Sequence, residues 1–293
     1  MGDGPQTTTR GELVATGRTS EVYAFGAGSV VKVLRPDVPP HWATLEAEFT
    51  DAVRRLGMPA PEVRGVVEVD GRAAVVFERI DGDSMWHRML GRPADVPMLS
   101  TELAAIHRRI LSAGLPVGVA GLVERMCRKI SEVVQLPEGE RHEAMDLARH
   151  LPRGAALLHG DLHPGNVLMS RRGPVVIDWF DATVGHPLAD VARTSLLLRP
   201  DSTAGPPHLP GASVGLLVQL HESYLAAMAD VLAVPADILH RWESVVAVSR
   251  LAEGAHADES SLVDLWERRR VEGASPLVLA RSDAASGCEH GGE

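Results

Sequence analysis

Lysine is almost missing from this 293-residue chain: Lys32 and Lys129 are its two instances, and arginine supplies the rest of the 29 basic residues. Cysteine is as scarce, with Cys127 and, in a polar tail, Cys288. A disulfide framework is therefore excluded, and a reducing cytoplasm is the expected setting. No run approaches the roughly 18–20 uncharged apolar residues of a membrane span. The polar start MGDGPQTTTRGE lacks the apolar centre of a secretory signal. Basic residues are outnumbered by 39 acids, for a net charge of −10. That balance argues against a nucleic-acid backbone as partner and favours attraction of a cationic small molecule, although it also serves solubility alone. What is present, 45% hydrophobic and 23% charged residues, is the composition of a globular chain. The length gives room for two packed lobes.

Where a lysine does occur, it needs a reason. Lys32 stands inside the apolar run Val30-Val31-Lys32-Val33-Leu34. Residues 11–34 alternate like paired strands, with turns at Gly17-Arg18-Thr19-Ser20 and Gly26-Ala27-Gly28. Residues 41–56 carry Leu45, Phe49, Ala52, Val53 and Leu56 at helical spacing, closed by Gly57 and Pro59. Strands are expected at 62–69 and 73–80, joined by Asp70-Gly71. From about residue 98 the pattern turns helical, with helices expected at 99–111, 119–136, 138–150, 188–198, 214–232, 236–255 and 260–271. Two short apolar runs, 155–158 and 175–177, interrupt them, and each leads at once into a polar cluster. The four prolines in 199–213 mark a long surface loop, and the small polar residues from 282 a disordered tail.

Those two polar clusters carry the chemistry. They read His159-Gly160-Asp161-Leu162-His163-Pro164-Gly165-Asn166 and Ile177-Asp178-Trp179. Phosphoryl transfer from a nucleotide is mostly positioning and charge neutralisation. It asks for a carboxylate to receive or orient the acceptor hydroxyl and for oxygen ligands to Mg2+. Asp161, four intervening residues and Asn166 have that spacing, and a hairpin would return Asp178 beside Asn166. A duller reading stays open, in which His159, Asp161 and His163 form the metal cluster of a hydrolase.

The combination HGDLHPGN, VVIDW and GHPLADVA resembles the aminoglycoside phosphotransferase and choline kinase-like family, a relative of the protein kinases, over residues 11–272. The resemblance implies an α+β, two-lobed protein-kinase-like fold. It divides the chain into a flexible 1–10, a nucleotide-binding lobe at 11–80, a helical lobe with catalytic loop and acceptor pocket at 81–281, and the tail 282–293. It implies Asp161 as catalytic base, Asn166 and Asp178 as Mg2+ ligands, His159 as loop organiser and Asp190 as buttress. The family's usual Asp or Asn before the last motif's proline is His186 here. Under this scheme Lys32 contacts the nucleotide phosphates, with Glu48 as its chosen partner and Glu46 as the alternative. Thr19 and Ser20 would help to cover the phosphates, in a turn with a single glycine that could equally be an ordinary hairpin turn. The main chain of Glu78 and Ile80 would hold the base of ATP or GTP.

For the acceptor, His163, Glu222, Tyr224, Trp242 and Glu243 are the first candidates. His221, Ser223, Arg250, Asp258, Glu259 and Trp266 stand behind them, and most of this set would equally suit a solvated helix face or a core. The expected activity is ATP- or GTP-dependent O-phosphorylation of a small hydroxylated molecule. An antibiotic is favoured (aminoglycoside-like, macrolide or nucleoside), in resistance or self-protection, and a sugar or amino-alcohol metabolite is the alternative. A protein kinase is disfavoured, since no Ala-Pro-Glu segment follows Asp178.

Overall fold

The computed structural model describes residues 10–116, 120–199, 209–231, 233, 236–254 and 259–273. The expectations for residues 1–9, 200–208, Asp258 and 282–293 lie outside them. The first part is an antiparallel sheet of five strands, β1 (Leu13–Thr16), β2 (Ser20–Ala24), β3 (Ser29–Leu34), β4 (Val63–Val69) and β5 (Arg72–Glu78), in the order β1-β2-β3-β5-β4. One helix, α1 (His41–Arg55), is inserted between β3 and β4. Strand β3 is central and its period of two divides it cleanly. Val31 and Val33 pack into a small core with Val69 and Ala74. Val30 and Leu34 pack with Ala43 and Ala47 of α1. Lys32 shares that second face and so points toward the helix.

The buried stripe of α1 is Ala43, Glu46, Ala47, Thr50 and Val53. The larger Leu45 and Phe49, on which the sequence phase was set, are only half-buried. Small residues let the helix approach the sheet closely, and this phase decides which glutamate meets Lys32.

The remainder is helical, with short strands inserted. Gly82–Ser84 (β6) and Met85–Gly91 (α2) follow the sheet, and Ser84 caps α2 by accepting the His87 N–H at 3.1 Å. Then come α3 (Val96–Leu111), α4 (Leu122–Ser131), α5 (Glu138–His150), β7 (Ala156–Leu158), β8 (Val167–Ser170), β9 (Gly173–Val176) and β10 (Thr183–Gly185). Helices α6 (Pro187–Leu198), α7 (Val214–Ala227), α8 (Ala236–Leu251) and α9 (Glu259–Gly273) complete the described chain.

The helix expected over 119–136 stops at Ser131, although Val133 and Leu136 stay buried. The Arg141 guanidinium donates to the carbonyls of Val133 (3.1 Å) and Leu136 (2.8 Å), partners that a continued helix would have supplied. Helix α7 likewise ends earlier than expected, where Arg108 donates to the Ala227 carbonyl.

Two apolar cores fill this part. One joins α2, α3, the β8–β9 hairpin and α7 through residues such as Met89, Leu103, Val176 and Leu220. The other joins α4, α5, α8 and α9 through Ile130, Ala148, Trp242 and Trp266. Helix α6 serves both, giving Val191 and Leu198 to the first and Leu188, Ala189 and Ala192 to the second. Its polar residues Asp190 and Arg193 therefore lie on the seam. His186 caps α6 by accepting the Leu188 N–H at 3.2 Å, the task that an Asp or Asn would perform there.

Candidate active site

Strand β7 delivers the chain to His159 and Gly160 on the seam. Gly160 has φ +81°, and a Cβ there would lie 2.4 Å from the Asp181 carbonyl oxygen, so glycine is required on two counts. Asp190 accepts the N–H groups of His159 (2.7 Å) and Gly160 (2.8 Å). Its Oδ2 also lies 3.1 Å from His107 Nε2, and His107 Nδ1 lies 2.7 Å from the Tyr224 hydroxyl. A carboxylate can only accept, so His107 carries its proton on Nε2. The His159 ring organises the next turn. Its Nδ1 accepts the Asp161 N–H at 3.2 Å and its Nε2 donates to the Ile177 carbonyl at 3.2 Å. Burial pushes His159 below the usual histidine range, and His163, buried beside it, is lowered to about 3.

The β8–β9 hairpin returns Asp178, as the Ile177 N–H donates to the Asn166 carbonyl at 3.0 Å. Asn166 Nδ2 donates to the Asp161 carbonyl (2.9 Å) and lies 3.4 Å from Asp161 Oδ2. Asp178 takes left-handed backbone, φ 65° and ψ 59°, with 41% of its side chain exposed. A non-glycine residue held there costs on the order of 1–3 kcal/mol. Lys32 Nζ meets Asp178 Oδ1 at 3.0 Å and Glu46 Oε1 at 2.6 Å. Burial works against the ammonium, but the two carboxylates hold Lys32 above its ordinary range. Burial would raise Asp178 too, and Lys32 holds it below.

Asp161, Asn166, Asp178 and Lys32 are thus brought together. Asn166 spends its N–H on Asp161 and keeps its side-chain oxygen, while Asp178 spends Oδ1 on Lys32 and keeps Oδ2. Two hard oxygens fit Mg2+, which takes one or two protein ligands and fills the rest with phosphate and water.

Several expectations are corrected. Lys32 pairs with buried Glu46, and Glu48 is exposed on the opposite side of α1. The hydrolase cluster does not form. The His159 nitrogens are both engaged, His163 Nδ1 accepts the Gly165 N–H at 3.0 Å, and among the described residues no group of three His, Cys, Asp or Glu could hold a metal. Tyr224 and Trp242 are fully buried core residues. Glu243 is buried and accepts from the Ser195 hydroxyl at 3.1 Å, and Glu222 is exposed.

In the turn at 17–20, the Gly17 N–H donates to the Ser20 carbonyl at 2.8 Å and the Thr19 carbonyl accepts the Arg35 N–H at 2.8 Å. Ser20 itself is buried at the start of β2. The Glu78 N–H is spent on the Glu62 carbonyl at 2.9 Å and its carboxylate on Arg172 at 2.6 Å. Of the Glu78 main chain, then, a base would find the carbonyl. Ile80 is half-buried just after β5.

The sequence reading missed a second ionic cluster. Arg193 donates from Nε to the Gly160 carbonyl (3.0 Å), and its Nη2 reaches both Asp161 Oδ1 (3.1 Å) and Glu253 Oε2 (2.9 Å). Lys129, the other rare lysine, meets Glu253 Oε1 at 2.9 Å and Asp181 Oδ1 at 3.4 Å. Arg125 also donates to Asp181, and Arg18 to the Glu253 carbonyl. Two signals were available. Lys129 is as rare as Lys32, and Arg193 is one turn beyond Asp190 on the same helix face.

The profile described as APH, phosphotransferase enzyme family, matches residues 10–208. No curated protein sequence matches the chain. Among solved structures, a thermostable mutant of aminoglycoside phosphotransferase APH(4)-Ia in its apo form superposes with a TM-score of 0.66 at 18% identity, covering 92% of this chain and 96% of that one. Another mutant of that enzyme, in ternary complex with ADP and hygromycin B, gives a TM-score of 0.64 at 16% identity over 90% and 94% of the two chains. A choline/ethanolamine kinase family protein from Mesorhizobium loti gives 0.53 at 18% identity over 93% and 90%.

Proposed function

The chain belongs to the APH phosphotransferase enzyme family, and from that premise we propose that it moves the γ-phosphoryl group of ATP or GTP, with Mg2+, onto a hydroxyl of a small acceptor. The observation that carries this reading is the convergence of Asp161, Asn166, Asp178 and Lys32 from three separate elements onto one spot. Lys32, set by Glu46, offers its charge to the phosphate oxygens. Asn166 and Asp178 would hold the Mg2+, which when bound neutralises charge on the triphosphate. Arg193 on Oδ1 and Asn166 near Oδ2 fix the plane of the Asp161 carboxylate. As the acceptor oxygen bonds to the γ-phosphorus and the bond to the β-bridging oxygen breaks, the acceptor's proton passes to Asp161 and the nucleoside diphosphate leaves.

For the acceptor the reading is a hydroxylated antibiotic, in resistance or self-protection in the cytoplasm. Its support is the kinship with aminoglycoside phosphotransferases, one of which was crystallised with ADP and hygromycin B. The test is a nucleotide-consumption screen over hydroxylated antibiotics and metabolites, with ATP and GTP in parallel. Asp161→Ala should then lower turnover by about two to four orders of magnitude, while binding of a fluorescent nucleotide persists. Undiminished turnover in that variant would remove Asp161 from its role.

A further inference from the structure

The Arg193 side chain is 9% exposed, and its N–H groups are committed around the catalytic loop. Nε donates to the Gly160 carbonyl at 3.0 Å. Nη2 lies 3.1 Å from Asp161 Oδ1 and 2.9 Å from Glu253 Oε2, and its two hydrogens serve one carboxylate each. A guanidinium is planar and rigid, so the directions of these three bonds are not independent. The Gly160 carbonyl sets the plane from the residue just before Asp161. Glu253, from outside the loop, takes the hydrogen that does not face Asp161.

Glu253 follows the last turn of α8 and is itself tethered. Its Oε1 lies 2.9 Å from Lys129 Nζ of α4, and its carbonyl accepts from Arg18. Burial works to raise its carboxyl, yet Arg193 and Lys129, with Arg250, hold it far below the ordinary range, so it stays charged. Two carboxylates thus share one buried guanidinium. Were Glu253 neutral, the attraction of Arg193 would fall wholly on Asp161, where burial screens it little. Asp161 would be drawn into a closed ion pair, with less of its charge left for the acceptor hydroxyl. With Glu253 charged, Arg193 orients the Asp161 carboxylate without neutralising it.

We infer that Glu253, anchored by Lys129, is a positioning residue for the transfer step and acts on Asp161 through Arg193. This rests on the phosphotransferase reading and deepens it. Each of the two rare lysines then has a task at the site. Lys32 serves the nucleotide, and Lys129 serves the base through Glu253 and Arg193. An ion cluster that only stiffened the helical part would behave differently under mutation.

The experiment is a double-mutant cycle on turnover of Mg2+–ATP by the full chain, with water as acceptor. Single-turnover rates with γ-labelled ATP keep the slow variants measurable, and urea midpoints record stability alongside. Glu253→Gln keeps the shape and an acceptor for Arg193 but loses the charge. It should lower kcat about tenfold and leave the KM for ATP within about twofold. Glu253→Asp, charged though shorter, should recover part of the loss. In an Asp161→Asn background no catalytic carboxylate is left for Arg193 to neutralise. There Glu253→Gln should remove little of the remaining rate. Lys129→Gln, at a partly exposed position, runs the same cycle with a smaller factor and serves if Glu253→Gln does not fold. Equal losses in both backgrounds, a loss confined to the KM for ATP, or full turnover in the folded variants would overturn the inference and leave Glu253 to the fold. Absence of turnover in the wild-type chain would instead overturn the phosphotransferase reading, and this inference with it.

Discussion

Lys32 could be singled out by its neighbours alone, because an ammonium flanked by four apolar residues must be paired or solvated. Its partner was harder to read. Glu46 and Glu48 flank the large apolar residues of α1 at similar angles. The sheet-facing stripe is made of small residues, Ala43, Ala47 and Thr50, that carry little hydrophobic signal. The two glutamates can be separated by experiment. Glu46→Gln leaves Lys32 with one carboxylate, Asp178, and should raise the KM for nucleotide by about tenfold, as the ammonium is drawn toward the metal ligand. Glu48→Gln, at an exposed position, should leave KM unchanged. Equal effects from both would contradict the pairing.

At the scale of elements, α6 is the organiser. It is buried on both sides and presents Asp190 and Arg193 from successive turns to the loop that holds Asp161. The sequence showed the acid at the start of an apolar helix but not its buried chain to His107 and Tyr224, whose partners lie 83 and 117 residues apart. No local pattern encodes contacts that long. The motif residues 159–166 and 178 were legible because they flank a single short hairpin, whereas Arg125, Lys129 and Glu253 come from two distant helical regions and meet only in the folded chain. Asp190→Ala would strip two loop amides and His107 of their acceptor. A destabilisation of about 2–5 kcal/mol follows from unpaired buried polar groups, measured as a lower midpoint of urea unfolding. Turnover should fall more than nucleotide affinity, because the loop that Asp190 holds carries Asp161 and not Lys32. If stability and turnover both survive, α6 is not what positions the loop.

On the scale of the whole molecule, the sheet-bearing and helical parts are tied by few polar contacts. Among the described residues these are Lys32 to Asp178 (3.0 Å), Arg172 to Glu78 (2.6 Å), Arg109 to the Gly57 carbonyl (2.6 Å), the Val176 N–H to the Pro59 carbonyl (2.6 Å), and Arg18 to the Glu253 carbonyl. The first of them is expected to open when a nucleotide arrives, since Lys32 would turn to phosphate and Asp178 to the metal. The order of its parts followed from strand alternation giving way to helical spacing and the kinase-like class from the motif resemblance, whereas this joint could not be read from either half alone. A ligand held by both sides stabilises the folded chain by mass action, about 2.7 kcal/mol at one hundred times its Kd. For a chain of this size that corresponds to a rise in Tm of roughly 4–5 °C. Mg2+ with AMP-PNP should therefore raise Tm with increasing nucleotide concentration, and EDTA should remove most of the rise. In Asp178→Asn the metal-dependent part should vanish even though Lys32, released from one carboxylate, still attracts the phosphates. A full metal-dependent shift in that variant would mean that the ion sits elsewhere, and that the hairpin bringing Asp178 back to Asn166 serves the fold and not the nucleotide.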